Sequence, residues 1–197
     1  IDGGRRWAST RELVRNGRVG RIKRVEVGFG KDSNGGRTEE MPVPPNLDYD
    51  SWLGPTPPAY YTEDRVHNQD TAKIGSRPGW IQMEPYGWGM ITNWGAHHMD
   101  IVQWGLGTED RGPLEVSGVC GWLTDGLWNA HAEFDLLYKY EGGIDVSVCN
   151  RYPNGVRFIG DEGWIFVSRG SAKVTASDPA MPDTTLKALD ASTPKLL

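Results

Sequence analysis

The segment Gly89–Asp100, GMITNWGAHHMD, carries the polar side chains with the clearest capacity for chemistry. Asn93, His97 and Asp100 are spaced i, i+4 and i+7, so a continuous helix would place them on one face. An imidazole group changes charge near neutral pH and can transfer a proton, while a neighbouring amide or carboxylate fixes its tautomer. His97 is therefore the candidate acid/base or substrate-orienting residue, whereas His98 points to another side of the helix.

Two other interpretations of His97 remain open. It could be a hydrogen-bonded core histidine, which is a common position for a helical histidine. It could also bind a metal with His67 or Glu84, but the residue four positions before it is the neutral amide of Asn93, which is a poor partner for that helical spacing. We therefore expect no metal site.

Residues 30–86 form a long segment rich in Gly, Pro, Asn and Asp, in which only a short helix near Tyr49–Leu53 is predicted. A connection of this length inside a compact domain is usually functional, so we expect a binding region. Its polar side chains could recognise substrate hydroxyls, and its aromatic rings could stack on a sugar or on another subunit. Asp100 could also bind the substrate or accept a hydrogen bond from an arginine of this segment. The candidate substrate-binding residues are Asp100, Arg65, His67, Arg77, Trp80 and Tyr86.

The elements that must position these residues begin with a helix. Residues 1–16 are expected to hold a helix that leads into a sheet, with Ser9 or Thr10 as its cap, Arg11 to Asn16 as its helical residues and Gly17 as its left-handed end. Residues 22–29 alternate apolar and polar side chains, which predicts a strand.

Residues 87–106 predict one continuous site helix that ends at Gly107. Six short stretches within residues 113–177 are rich in β-branched and aromatic residues and are separated by turn signals, which predicts an antiparallel meander. Residues 178–197 are expected to form a surface tail. The fold class is α+β: a single domain, residues 1–197, with a large open, mostly antiparallel sheet that helices cover on one face. The other face needs a cover, so we expect a homo-oligomer.

Composition excludes several classes of function. The net charge is −5 and the basic residues form no continuous stripe, so we expect no nucleic-acid partner. Cys120 and Cys149 lie outside any CxxC motif, which argues against a zinc site or a disulfide framework. No apolar run approaches the roughly 20 residues of a membrane span. We expect a cytoplasmic protein, although export of a longer form stays open, and the start at Ile1 without methionine suggests a piece of a longer chain.

The stretch VEVGFGKDSNGG, residues 25–36, superficially matches a dinucleotide-binding fingerprint. The pair Gly28 and Gly30 should be followed by a glycine at position 33, which is Ser33, and no helix is predicted to begin there. Any site for a nicotinamide cofactor is therefore expected outside these residues.

Four segments together resemble the C-terminal domain of the glucose-fructose oxidoreductase/inositol dehydrogenase family, also called Gfo/Idh/MocA. The resemblance covers nearly the whole chain from about residue 5 to residue 170. It implies a dihydrodipicolinate-reductase-like open-sheet domain that follows a Rossmann domain for NAD or NADP, and that Rossmann half is missing from this sequence. The segments are ELVRNGRVGRIKRVEV, LDYDSWLGP, GMITNWGAHHMDIVQWGLG and VRFIGDEGWIFVSRG.

The family's helix motif is approximately G-x-x-x-D-x-G-x-H-x-x-D, which falls on Gly89, Asn93, Gly95, His97 and Asp100. The resemblance implies catalytic or substrate-orienting roles for His97 and for the residue at position 93. Asn93 stands where the family has an aspartate. An amide can hydrogen-bond a hydroxyl but cannot accept its proton, so a carboxylate base at this position is in doubt.

The resemblance implies the substrate-binding and oligomerisation domain of an NAD(P)-dependent oxidoreductase that acts on the CH–OH group of a sugar or cyclitol. The homo-oligomer would form through the open sheet face. Because fold does not determine function, two alternatives remain. One is a domain of an NAD-dependent glycosidase or keto-sugar lyase or hydrolase, and the other is a non-catalytic carbohydrate-binding or oligomerisation module.

Overall fold

The computed structural model describes residues 3–67, 79–168, 174–178 and 181–189. These residues contain four α-helices, a short 3-10 helix at Gly79–Gln82 and eight strands. The helices are α1 (Gly3–Arg15), α2 (Tyr49–Leu53), α3 (Gly89–Thr92) and α4 (Trp94–Leu106). The strands are β1 (Ile22–Gly28), β2 (Glu115–Trp122), β3 (His131–Tyr140), β4 (Ile144–Cys149), β5 (Gly155–Gly160), β6 (Trp164–Val167), β7 (Val174–Asp178) and β8 (Met181–Leu189).

The chain gathers into two compact units. The first, here called the sheet unit, comprises Ile1–Gly30, Ala96–Val119 and Phe134–Leu197. The second, here called the loop unit, comprises Lys31–Gly95 and Cys120–Glu133. The segment predicted as one long binding loop therefore contributes most of a unit of its own.

The eight strands form one open sheet in the order β2-β3-β4-β1-β5-β6-β7-β8. The mostly antiparallel character is as predicted, but the simple meander is wrong because β1 lies between β4 and β5. It is parallel to β4 and antiparallel to β5. The tail predicted at residues 178–197 is also corrected, since β8 pairs with β7 there.

Valine-rich alternation builds the core of the sheet unit. Val25 pairs with Val146 on one side and Phe158 on the other, and all three side chains are buried. Gly105 of α4 comes so close to the sheet that a Cβ there would lie 2.4 Å from the Phe158 ring. Burial of these apolar side chains supplies the main stabilisation of the unit. The contacts agree with the predicted packing of helices on one face, where α1 lies against β6 and β7.

Alternate residues of the same strands point to the opposite face, which carries a ladder of charges and rings. Glu26 accepts from Arg24 at 2.8 Å and from Arg157 at 3.5 Å. The Arg157 guanidinium lies 5.0 Å from the Trp164 ring centroid and 5.8 Å from that of Phe166. This face is therefore half-buried and amphipathic rather than purely polar.

Helix α1 differs from its predicted form at one end only. It begins at Gly3, so Thr10 is a buried residue inside the helix rather than its cap. The sequence between Gly3 and Thr10 contains no proline or other breaker after its first turn, which lets the helix extend backwards. Gly17 has φ 73° and ends the helical turn as predicted.

The loop unit has a small aromatic core. Tyr49, Tyr61 and Val66 are buried together, with Met41, Leu47, Trp52 and Leu53 packed around them. The carboxylate of Asp48 accepts from the Ser51 N–H at 3.1 Å and so caps α2 at its start. Packing of rings therefore orders a segment that has little regular secondary structure.

Candidate functional site

The motif segment forms two helices instead of the single helix predicted at residues 87–106. Asn93 separates α3 from α4, with φ −87° and ψ −83°, and its N–H donates to the Gly89 carbonyl at 3.2 Å. The Thr92 hydroxyl also donates to that carbonyl, at 3.1 Å. Such local side-chain bonds compete with regular helix continuation. The uninterrupted spacing Asn93, His97, Asp100 on one helical face is therefore corrected to His97 and Asp100 alone.

The two histidines of α4 have opposite environments. His97 is exposed, and Asp100 lies exposed three residues further along, so the two are neighbours on one helix surface. His98 is fully buried and its ring centroid lies 6.0 Å from that of Phe29. The buried-histidine role thus falls to His98, and His97 is the histidine that a substrate could reach.

Gly89 begins α3 in a conformation that a larger residue would not tolerate. Its φ is 73°, and a Cβ at this position would lie 2.2 Å from Oδ2 of Asp32 and 2.7 Å from Cβ of Ala130. The same Oδ2 accepts from the Met90 N–H at 2.8 Å, and Asp32 is buried. The first glycine of the motif is therefore needed for a close approach of a buried carboxylate to the helix start.

Sequence reasoning missed an aromatic cluster in the loop unit. The ring centroids of Trp88 and Trp122 are 5.9 Å apart in an edge-to-face arrangement, and His131 lies 6.2 Å from the first and 5.0 Å from the second. Burial lowers the pKa of His131, while the Asp32 carboxylate and a hydrogen bond to the Trp88 backbone partly oppose that shift. Trp88 has φ 55°, an uncommon conformation for this residue type.

Arg65 has a structural environment in the loop unit. It is 6% exposed, its Nε donates to the Tyr60 carbonyl at 3.1 Å, and its guanidinium lies 5.1 Å from the Tyr60 ring centroid. These contacts hold the guanidinium away from solvent, so its predicted role in substrate binding receives no support from this geometry. Arg77 lies outside the described residues.

The remaining candidates of the long segment are more accessible. Trp80 lies in the 3-10 helix and is 37% exposed. Tyr86 is half-buried against Trp52, with ring centroids 5.1 Å apart, and His67 is also half-buried. All three lie in the loop unit, and their roles in binding stay predictions.

The residues that the structure describes contain no group of three or more His, Cys, Asp or Glu side chains that could hold a metal ion, and no helix long and apolar enough to cross a membrane. A groove of about 430 Å³ is lined by residues that include Val14, Gly17 and Leu106. Leu106 is about 13 Å along α4 from His97 at 1.5 Å per residue, so this groove is separate from the candidate histidine.

A dinucleotide does not fit the residues after β1. The described chain continues from Gly28 into an extended segment, and no helix starts there to present its N–H groups to a pyrophosphate. The structure thus agrees with the failed glycine spacing at Ser33.

An open, mostly antiparallel sheet with helices packed against it defines this chain as an alpha/beta sheet domain. A family model described as "Oxidoreductase family, C-terminal alpha/beta domain", and named for Gfo/Idh/MocA, matches residues 12–171. The chain belongs to this family. No curated protein matches the sequence significantly.

Solved structures share the fold at low sequence identity. An aldose-aldose oxidoreductase from Caulobacter crescentus, complexed with glycerol, matches 95% of this chain at 13% identity and a TM-score of 0.53. An oxidoreductase domain protein from Kribbella flavida matches 95% of this chain at 19% identity and a TM-score of 0.53. An inositol dehydrogenase homolog from Azotobacter vinelandii, complexed with NAD+, matches 95% of this chain at 13% identity and a TM-score of 0.50. The chain spans 45%, 44% and 41% of these three proteins, less than half of each.

Proposed function

We propose that this chain is the substrate-binding and oligomerisation domain of an NAD(P)-dependent oxidoreductase that acts on the CH–OH group of a sugar or cyclitol. The observation that carries the proposal is the exposed imidazole of His97 three residues before the exposed Asp100 on α4, within the segment that the family model matches. Two relatives of the fold are named for aldose and inositol chemistry, which supports a polyol substrate.

His97 is proposed to accept the proton of the reacting hydroxyl, and Asp100 to orient it or to bind a further hydroxyl. Oxidation of a carbinol carbon requires that its hydroxyl lose a proton, and a positioned imidazole is suited to this transfer. The amide of Asn93 can donate or accept a hydrogen bond but cannot take up that proton. NAD or NADP is proposed to be bound mainly by an N-terminal Rossmann domain, and the extended segment after β1, which does not fit a dinucleotide, supports this.

Oligomerisation is proposed to occur through the sheet face that carries Arg157. Its rings and ion pairs are half-buried, and the combination of stacked arginine and aromatic side chains is typical of protein interfaces. Covering this face would also remove apolar ring surface from water.

A non-catalytic carbohydrate-binding module is the second candidate. Asn93 favours it, because an amide in place of the family's acid is compatible with binding but removes one possible base.

The test uses a full-length protein that contains this chain, a panel of sugars and cyclitols, and NADH or NADPH absorbance. We expect His97→Ala to lower kcat by roughly tenfold or more, as for loss of a general base. The control is Asp110→Asn, whose side chain is 82% exposed and lies beyond α4. Unchanged turnover in His97→Ala would refute the assignment, and binding without turnover by the wild type would favour the module. Release of an aglycone without net cofactor reduction would instead indicate a glycosidase or lyase.

A further inference from the structure

We propose that Trp88 and Trp122 form a stacking subsite for a pyranose ring, with Glu133 and Lys31 as partners for the ring hydroxyls. The site lies wholly within the loop unit, whereas His97 belongs to the sheet unit. The choice of a sugar as the ring rests on the proposed function, whereas the existence of the subsite rests on the geometry of these four side chains.

Two large rings are open to solvent at this position. Trp88 is 41% exposed and Trp122 is 53% exposed, and their planes meet at 65°. The pair therefore presents a corner in which the face of one ring stands beside the edge of the other. A pyranose has one face of C–H groups and a rim of hydroxyls, so its apolar face can pack on an indole while its rim stays polar.

The corner is held rigidly before any ligand arrives. The Leu123 N–H donates to the Ala130 carbonyl at 3.0 Å, which places Trp122 directly opposite His131 in the antiparallel pairing of β2 with β3. His131 is only 7% exposed and packs against both indoles. A preformed aromatic surface loses little conformational entropy on binding, which favours a small ligand.

A polar rim lies beside the rings. Glu133 is two residues from His131 on β3, so the two side chains point to the same side of the strand, about 7 Å apart along it. The side chain of Glu133 is 70% exposed, and its Oε1 accepts from Nζ of Lys31 at 3.0 Å. An exposed carboxylate and an ammonium group can exchange water for sugar hydroxyls at little cost, since neither is buried.

This combination favours a sugar over a protein partner. Lysine and glutamate are depleted from the cores of protein interfaces, whereas a patch made for another chain would surround the rings with apolar groups. A ring with alternating C–H and hydroxyl groups matches both the indoles and the adjacent ion pair.

The experiment is saturation-transfer NMR and calorimetry of the full chain with methyl β-D-glucopyranoside, without cofactor. H1, H3 and H5 lie on one face of this ring, so stacking should give them stronger saturation than the other ring protons. Trp122→Ala should weaken binding by about 5- to 160-fold, which corresponds to the roughly 1–3 kcal/mol of a base stacked on an aromatic side chain. Trp88→Asn should weaken it too, and asparagine tolerates the positive φ at that position. Glu133→Gln should weaken it less.

The matched control is Trp104→Ala, which removes a 37% exposed tryptophan of α4 in the sheet unit. Equal weakening by this control, or wild-type affinity in Trp122→Ala, would overturn the proposal. Loss of a dimer in Trp122→Ala with no sugar binding by the wild type would assign the surface to a second copy instead. Asp110→Asn should bind the glucoside as the wild type does. Binding of the glucoside by the wild-type full-length protein without turnover of any sugar would reject the proposed function but keep the subsite.

Discussion

Replacement of Gly89 by alanine should destabilise the protein more than its backbone conformation alone predicts. A left-handed conformation costs an L-residue about 1–2 kcal/mol. The new Cβ would in addition lie 2.2 Å from Oδ2 of Asp32, so the carboxylate must move and its 2.8 Å bond to the Met90 N–H is lost. A hydrogen bond to a charged group contributes about 1.5–3 kcal/mol. The sum is about 2.5–5 kcal/mol, up to about half of a typical domain's stability.

Urea unfolding, followed by far-UV circular dichroism, would measure this loss. The matched control is Gly142→Ala in the turn between β3 and β4, where φ is 80° and a Cβ would meet nothing within 4 Å. This control carries the backbone cost alone, about 1–2 kcal/mol. A double-mutant cycle with Asp32→Ala isolates the carboxylate's part of the clash. Gly89→Ala should then cost less than it does in the wild type, but more than the control, because the contact of 2.7 Å with Cβ of Ala130 stays. Equal destabilisation by the two glycine variants in the wild-type background would refute the reasoning.

Three further results are expected from single substitutions. His98→Ala should lower the free energy of unfolding by about 2–4 kcal/mol, as for large-to-small core changes. His97→Ala should change it by less than about 0.5 kcal/mol, because His97 is exposed. Similar losses for the two variants in urea titrations would contradict the burial of His98 and the exposure of His97. Because the pKa of His131 is lowered in the folded state, its protonation favours unfolding, so stability should fall as pH drops below 6.5, its ordinary value. That fall in stability should be smaller in His131→Gln. If the urea midpoints of the variant and the wild type changed with pH in the same way, the lowered pKa of His131 would be refuted. Ile159 lies on the sheet face beside Arg157, so Ile159→Glu should disrupt the oligomer and lower the native mass measured by light scattering. Val119 is 73% exposed on the edge strand β2, and Val119→Glu should leave that mass unchanged. A lower mass for Val119→Glu alone would place the oligomer interface at the edge of the sheet.

The sheet was predictable because its signal is local. Alternating β-branched residues predicted the strand at residues 22–29, and β1 spans Ile22–Gly28. The place of β1 between β4 and β5 was not predictable, since a strand's periodicity does not specify which strands it pairs with. Its partners Val146 and Phe158 lie more than a hundred residues away in the sequence, beyond the reach of a local pattern.

The candidate site was only partly predictable for a similar reason. His97 and Asp100 share one helix face as predicted, because both lie within α4. Asn93 does not belong to that helix, because Thr92 donates a local hydrogen bond to the Gly89 carbonyl. Asp32 belongs to no periodic pattern or motif in the sequence. It acts as the buried acceptor at the start of α3 only because folding brings it next to Met90, far along the chain. Close approaches of this kind depend on the three-dimensional packing and cannot be predicted from local residue types.

The two proposed sites can be separated by kinetics in the full-length protein. An indole that stacks on the sugar away from the reacting carbon binds ground state and transition state equally, so its loss should raise KM and leave kcat unchanged. Loss of a proton acceptor acts on the transition state and should lower kcat. Trp122→Ala and His97→Ala are therefore expected to change different parameters. If Trp122→Ala lowered kcat as strongly as His97→Ala, the indole would act at the reacting carbon, and the subsite would have to be reassigned to the catalytic centre itself.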